Sequence, residues 1–340
     1  MGTSDPIVRG RQPLVAEIIR RVAPQIGARV LIEPEYGFVG YIEFPNGKGV
    51  LFRDRNFNIN PQGSSEIARD KGYCDFFLRH FGYSTPEAQS CFSEKMNSRL
   101  SVKRTVDDGS AFASKIGFPV IVKPNSLSQG ELVVKVYNKR EFYSIAGKIF
   151  RRASVMLVQK YCPGNDYRIV VLDDEVISAY QRIPLSVLGD GRSTVRELLD
   201  KRQSRFQRIG RDTVIDTEDF RIRMKLRRQG LKLDSVLSRG QKLYLLDNAN
   251  LSTGGDAVDV TPEVHRDFRD LAIRVTRDMG LRLSGVDIIT SDITSPLKEY
   301  TIIELNSAPG LDNYWSLGKD QQQRVDELYL KVLKALAKGT

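Results

Sequence analysis

Near its C-terminal end the chain places Asp287, within Gly285-Val-Asp-Ile-Ile289, ahead of Ile302-Ile-Glu-Leu-Asn306, with the turn-forming run Ser291-Asp-Ile-Thr-Ser-Pro296 between them. Alternation along the second segment sets Ile302, Glu304 and Asn306 on one strand face and Thr301, Ile303 and Leu305 on the other. A hairpin centred near Ser295 and Pro296 then puts Asp287 directly opposite Glu304. Two opposed carboxylates repel unless a cation separates them. Hard oxygen donors of this kind suit magnesium, which completes its octahedron with water and phosphate oxygens. A solvated hairpin face is the alternative reading of the same pair.

A chain of 340 residues, 41% hydrophobic, can bury a core spread over two or three lobes. Cys74, Cys91 and Cys162 show neither a disulfide framework nor metal spacing, and His80 and His265 are isolated. No apolar run has the length of a membrane span, and residues 1–7 carry neither a basic leader nor an apolar signal core, so a cytoplasmic location is expected. The net charge of +10 raises nucleic acid as a partner. Much of it falls in 202–228, where Arg205, Arg208, Arg211, Arg221, Arg223, Lys225, Arg227 and Arg228 alternate with Asp212, Asp216, Glu218 and Asp219, and only Phe206 and Phe220 are aromatic. That mixture reads as a solvated face or as a site for phosphates and acidic substrates, rather than as a nucleic-acid stripe.

Residues 1–65 read as a short lead-in with a helix through Leu14, Ile18, Ile19 and Val22, then strands near 28–32, 40–44 and 50–53. A helix is expected over 67–81 and another over 111–116. The strand Val120-Ile-Val-Lys-Pro124 leads to the loop Asn125-Ser-Leu-Ser-Gln-Gly130 and a second strand over 132–136. Strand, small polar loop and strand is the layout of a flap over phosphates, with Lys123 as a point charge; a plain hairpin fits as well. Asp166 and Arg168 alternate with Tyr167, so both can face a cleft. A helix follows over 194–203. The loop Asn248-Ala-Asn-Leu-Ser-Thr-Gly-Gly255 can gather amides and hydroxyls around a developing anion, or be a surface turn. A helix over 262–279 feeds the hairpin that carries Asp287.

Asp70-Lys71, Val120 to Pro124, Pro163-Gly-Asn-Asp-Tyr-Arg168, Leu188-Gly-Asp-Gly-Arg-Ser-Thr-Val-Arg-Glu-Leu198, Ala249-Asn-Leu-Ser-Thr-Gly-Gly255, Asp287 and Glu304-Leu-Asn-Ser-Ala-Pro-Gly310 together resemble the ATP-grasp superfamily. The ATP-grasp parts of cyanophycin synthetases and of fused glutathione synthetases are the nearest in phrasing. The resemblance runs from about Glu66 onward. It implies an α+β fold in which two lobes clasp ATP: a domain over 66–340, with a small nucleotide lobe over about 100–160 and a catalytic lobe over about 161–340. It also implies ligation of a carboxylate to an amine through an acyl phosphate, with ATP and magnesium as cofactors and manganese as a substitute.

By the same resemblance Lys71, Lys123, Ser126, Ser128, Gln129 and Gly130 belong at the ATP phosphates. Gln159, Lys160 and Tyr161 belong at adenine, and Asp166 at ribose. Asp287, Glu304 and Asn306 match the metal ligands. Gln159 stands where many members carry glutamate. Cations are needed where two anions meet, which assigns Arg182 to the phosphoryl step, and Asn250, Ser252 and Thr253, with Arg168 in reserve, to the oxyanion of the tetrahedral intermediate. The expected partners are small carboxylates and amines, amino acids or a short peptide; a homo-oligomer is compatible, a membrane is not expected. With no second nucleotide site in the sequence, a stand-alone ligase making one condensation per ATP is expected. The alternatives are a ligase that modifies a protein terminus and a non-catalytic basic binding protein.

Overall fold

The computed structural model describes residues 13–338, so the reading of residues 1–7 lies outside the described residues. The described residues up to Pro61 group with those from Ala308 onward, and Gln62–Ser307 form a second unit. The first unit opens with α1 (Leu14–Val22), which buries Val15, Ile18, Ile19 and Val22 at the spacing of one helix face. Gly27, at φ +69°, turns the chain into three antiparallel strands in sequential order, β1 (Arg29–Ile32), β2 (Val39–Glu43) and β3 (Gly49–Arg53). These are the helix and strands expected of the lead-in.

In the second unit, α2 (Gln62–Arg69) and α3 (Lys71–His80) replace the single helix expected over 67–81. Asp70 is extended and its carboxylate accepts the Tyr73 amide at 2.9 Å, an N-cap that restarts the helix at Lys71. A small lobe follows: β4 (Ala88–Phe92), α4 (Glu94–Asn97), α5 (Val106–Ile116), β5 (Val120–Pro124), β6 (Val134–Val136), α6 (Lys139–Phe150) and β7 (Val155–Lys160). Its sheet runs β4-β7-β5-β6, antiparallel throughout, over a core of Cys91, Val120, Val122, Phe142, Ile145 and Val158. Because β4 belongs to it, this lobe starts before residue 100. The reciprocal Thr105 and Asp108 capping box starts α5 at Val106, well ahead of the expected 111. Leu132, at φ +53°, keeps β6 shorter than 132–136.

The larger sheet uses β8 (Asn165–Leu172) and β9 (Glu175–Ile183). Before it resumes, the chain builds a further core not foreseen in the sequence: β10 (Ser186–Leu188), α7 (Val195–Arg208), α8 (Phe220–Arg228) and β11 (Lys242–Tyr244) enclose Leu199, Phe206, Leu226, Leu243 and Leu245. Here α7 continues five residues beyond the helix expected over 194–203. Then come β12 (Asp256–Asp259), α9 (Arg266–Asp278), β13 (Leu283–Thr290) and β14 (Thr301–Asn306), completing the antiparallel order β12-β9-β8-β13-β14. His265 caps α9, which is shorter at its start than expected. Phe268, Leu271, Ala272 and Val275 pack α9 on one sheet face, leaving the other face to the charged residues below.

After Ser307 the chain returns to the first unit through α10 (Asp312–Trp315) and α11 (Lys319–Lys338). A single domain over 66–340 was expected. Instead α11 buries Val325, Leu328, Val332, Leu333 and Leu336 and packs against α1, with Arg21 Nε 3.1 Å from an Asp326 oxygen.

Candidate active site

Strand register decides which charges meet. Asp287 on β13 lies opposite Glu304 on β14, as the hairpin arithmetic required, with a bulge between Asp287 and Ile288. On its other side Asp287 pairs with Arg168 of β8, and Asp166 of β8 pairs with Arg182 of β9. Tyr167 is buried in the core beneath, so Asp166 and Arg168 share the opposite face. Arg168 grips Asp287 with two bonds, Nε to Oδ1 at 2.6 Å and Nη2 to Oδ2 at 2.7 Å. Arg182 Nη2 lies 2.9 Å from Asp287 Oδ2 and 2.6 Å from Asp166 Oδ1. Asp287 is wholly buried. Burial alone would raise its carboxyl, yet the guanidiniums of Arg168 and Arg182 hold it below the usual range; Asp166, with less compensation, is raised by its burial.

Beside this balanced cluster stands an unbalanced one. Lys71, in the first turn of α3, puts Nζ 3.2 Å from Glu304 Oε1, 3.1 Å from the Leu127 carbonyl and 3.4 Å from that of Asn125. Lys123, at the end of β5, is 6% exposed. Burial pushes its ammonium down to about 8; Glu304 opposes this and Lys71 adds to it. Asn125 Oδ1 accepts the Gly72 amide at 2.9 Å and so ties the base of the 125–130 loop to α3. Gln159, Cys74 and Asp75 line the same pocket as Lys71 and Glu304. Burial pushes the Cys74 thiol up to about 12, so it offers no thiolate.

Among the described residues no three His, Cys, Asp or Glu side chains gather as a metal site. The donors on these strands are two carboxylates and an amide, the oxygen chemistry magnesium takes. A carboxylate has about four acceptor positions, and the arginines occupy three on Asp287, leaving it a single-point donor. Asn306 Nδ2 is buried without a partner. Since amide nitrogen and oxygen exchange by a flip, that orphaned position fits an amide turned to present oxygen to a cation. The residues therefore fit the ion, with Glu304 as its most open carboxylate.

The 125–130 and 248–255 loops meet. Ser126, Ser128 and Gln129 are exposed, and Gly130 sits at φ +72°. A carbon added to Gly130 would fall 2.5 Å from Asn248 Nδ2, so only glycine allows the 248–255 loop this close. Ser252 Oγ donates to the Gln129 carbonyl at 3.3 Å, whereas Thr253 Oγ1 turns back to the Asn250 carbonyl at 3.0 Å. The loop runs straight into β12, whose Ala257 pairs with Arg182. Lys160 and Tyr161 are apart from these clusters: Lys160 is 3.2 Å from Glu87, and Lys135 lies 3.4 Å over the Tyr161 ring.

The 202–228 region is neither a solvated face nor an open anion site at several of its arginines. Arg221 Nη1 donates to the Gly130 carbonyl at 2.6 Å, Arg228 pairs with Glu141 at 2.7 Å, and Lys225 pairs with Asp247. Arg202 and Arg211 donate to carbonyls of the 248–255 loop. No periodicity marks these roles, because each joins residues tens of positions apart. This inward use of charge also removes much of the support for a nucleic-acid surface.

A sequence model described as a RimK-like ATP-grasp domain matches residues 93–197 and 247–327. The chain is 32% identical to cyanophycin synthetase of Crocosphaera subtropica over 314 residues, 88% of this chain and 33% of that protein. It is 31% identical to a glutathione biosynthesis bifunctional protein of Clostridium perfringens, over 63% of this chain and 28% of that one. It spans only about a quarter to a third of the curated relatives it matches. The crystal structure of a bifunctional glutathione synthetase from Pasteurella multocida superposes with a TM-score of 0.59 over 94% of this chain and 44% of that one, at 23% identity, a likeness of fold.

Proposed function

This chain belongs to the RimK-like ATP-grasp family, and from that premise we propose that it joins a carboxylate to an amine with cleavage of ATP to ADP and phosphate. The observation that carries the reading is the lysine pair. Two buried ammonium groups share one glutamate, and burial already pushes Lys123 down to about 8, so the pocket gains most from an anion of high charge density. The phosphates of a nucleotide supply it, with the 125–130 loop as their cover.

In this reading a substrate carboxylate oxygen bonds to the γ-phosphorus as the bond to ADP breaks. The amine then adds to the acyl carbon, and the tetrahedral intermediate collapses as the acyl carbon–oxygen bond breaks, so that inorganic phosphate leaves with the bridging oxygen while the nitrogen loses a proton to solvent. Lys71 and Lys123 hold the transferring phosphoryl group, and the cationic ends of Arg168 and Arg182 lower the cost of bringing two anions together. Glu304, Asn306 and one oxygen of Asp287 would hold magnesium, which when bound neutralises phosphate charge. The Leu251 and Ser252 amides face the developing oxyanion, since the Ser252 and Thr253 hydroxyls already donate to the Gln129 and Asn250 carbonyls. Amino acids or short peptides are the proposed substrates, consistent with what the named relatives make.

The test is incubation of the purified chain with ATP, magnesium and mixtures of amino acids and dipeptides. ADP and phosphate should appear only with acceptor and donor together, alongside a product heavier by one condensation in the mass spectrum. Release of AMP, or no nucleotide binding, would overturn the reading.

A further inference from the structure

Arg211 is 8% exposed, lies on the coil after α7, and sits in the stretch between the two segments that match the family model. Its Nη2 donates to the Leu251 carbonyl and, at 2.8 Å, to that of Gly255, while Nε reaches Thr213 Oγ1 at 3.0 Å. Arg202, on α7, donates to the Gly254 carbonyl at 2.9 Å and pairs with Asp256 at 2.7 Å. Both guanidiniums lie over the Phe206 ring, Arg211 at 4.1 Å and Arg202 at 5.3 Å from its centroid. Three carbonyls of one short loop are thus drawn to one side by two cations that share a single acid. The opposite side of the loop carries Ser252, whose hydroxyl points to the phosphate loop.

We propose that Arg202 and Arg211 are positioning residues: by taking the Leu251, Gly254 and Gly255 carbonyls they fix the 250–255 loop, whose Thr253, Gly254 and Gly255 amides close on its own Asn250 and Leu251 carbonyls, so that the Leu251 and Ser252 amides are the donors left to face an anion in the cleft. The assignment rests on the ligase reading for its chemical consequence, but not for the loop geometry itself. A peptide loop stabilises an oxyanion only if its N–H groups point at the anion, and the carbonyls of the same peptides must then find partners behind it. Gly255 allows the close packing, since a carbon there would lie 2.7 Å from the Ile183 carbonyl. Burial takes the Arg211 guanidinium down to about 10, which still leaves it charged at neutral pH. Arg202 Nε stays buried and unpartnered, a cost accepted for the placement of the rest of the group.

The test compares Arg211→Gln, Arg211→Lys and Arg202→Gln with the wild-type chain by hydrogen exchange, ATP titration and phosphate release. Arg211→Gln should speed exchange of the 251–256 amides about tenfold or more while β8 and β13 keep their protection. ATP affinity should stay within about twofold, and the turnover rate should fall about 100-fold. Arg211→Lys, which keeps the charge but loses the fork, should fall between, and Arg202→Gln should reproduce the pattern more weakly. If Arg211→Gln does not fold, the other two variants carry the same comparison. Unchanged exchange in the loop, or faster exchange with wild-type turnover, would overturn the assignment. Should the wild-type chain release no phosphate with any substrate, the ligase reading falls, and the exchange comparison alone still decides whether these arginines fix the loop.

Discussion

Asp166, Arg168, Arg182 and Asp287 set two negative charges against two positive ones, whereas Lys71 of α3, Lys123 of β5 and Glu304 of β14, the strand beside β13, set one against two. The first group satisfies itself. Its carboxylate at Asp287 is held low by guanidiniums that donate in pairs, and nothing further is needed for the charges to stay buried. The second is left with a surplus of positive charge, and burial, with Lys71 adding to it, makes Lys123 give up its proton more easily. A charge-balanced network that holds its arginines in place and a lysine site with surplus positive charge can thus be neighbours, told apart by their net charge although both bury charged side chains.

Asp287→Asn breaks the balanced group and should have the largest effect. It strands two guanidiniums on Asp166 alone, so stability should fall by about 3–5 kcal/mol, read from urea unfolding, along with turnover. An unchanged midpoint would mean that the arginines do not depend on this carboxylate. Glu304→Gln should also abolish most turnover, yet its side chain is 31% exposed, and the unfolding midpoint should move by less than about 1 kcal/mol. Equal stability losses in the two variants would erase the distinction.

The lysine surplus makes a pH prediction. Lys123 falls from 10.5 unfolded to about 8 folded, so between those values the unfolded chain binds more protons and stability rises with pH. An anion reverses the preference: ATP binding above pH 8 should take up a proton, and affinity should drop by up to about tenfold per pH unit there. Calorimetry in two buffers of different ionisation heat at pH 8.5 reads the uptake, and identical heats would remove the surplus-charge account. Gly130→Ala should act least, straining the loop over the lysines by about 1 kcal/mol and weakening ATP about fivefold, with the unfolding midpoint nearly still. A titration showing wild-type affinity would mean that the Gly130 contact with Asn248 is not part of the cover.

Much of this comparison was legible in the sequence because a hairpin fixes register by arithmetic: 287 and 304 are equidistant from the turn at 295 and 296. The bulge after Asp287 was not, since nothing local marks it. Asp70 carried the signal that split the helix over 67–81, an N-cap residue directly before Lys71. The arginines of 202–228 were visible as charge but not as clamps, because their acceptors lie far along the chain in either direction, Leu251 for Arg211 and Gly130 for Arg221. The apolar spacing of Val325, Leu328, Val332, Leu333 and Leu336 in α11 is that of a packed helix, but amphipathic spacing states that a helix packs, not on what.

That last helix sets the order in which the molecule can be made. α1 leaves the ribosome before, and its partner α11 after, the whole of Gln62–Ser307. Within that intervening unit α2 packs on β14, so its two chain crossings already lie near each other once it has folded. The cost of closing so long a loop then shrinks to that of a short one. Assembly should therefore run from Gln62–Ser307 outward, with α1 waiting for α11, and a refolding time course should show its burial as the later phase.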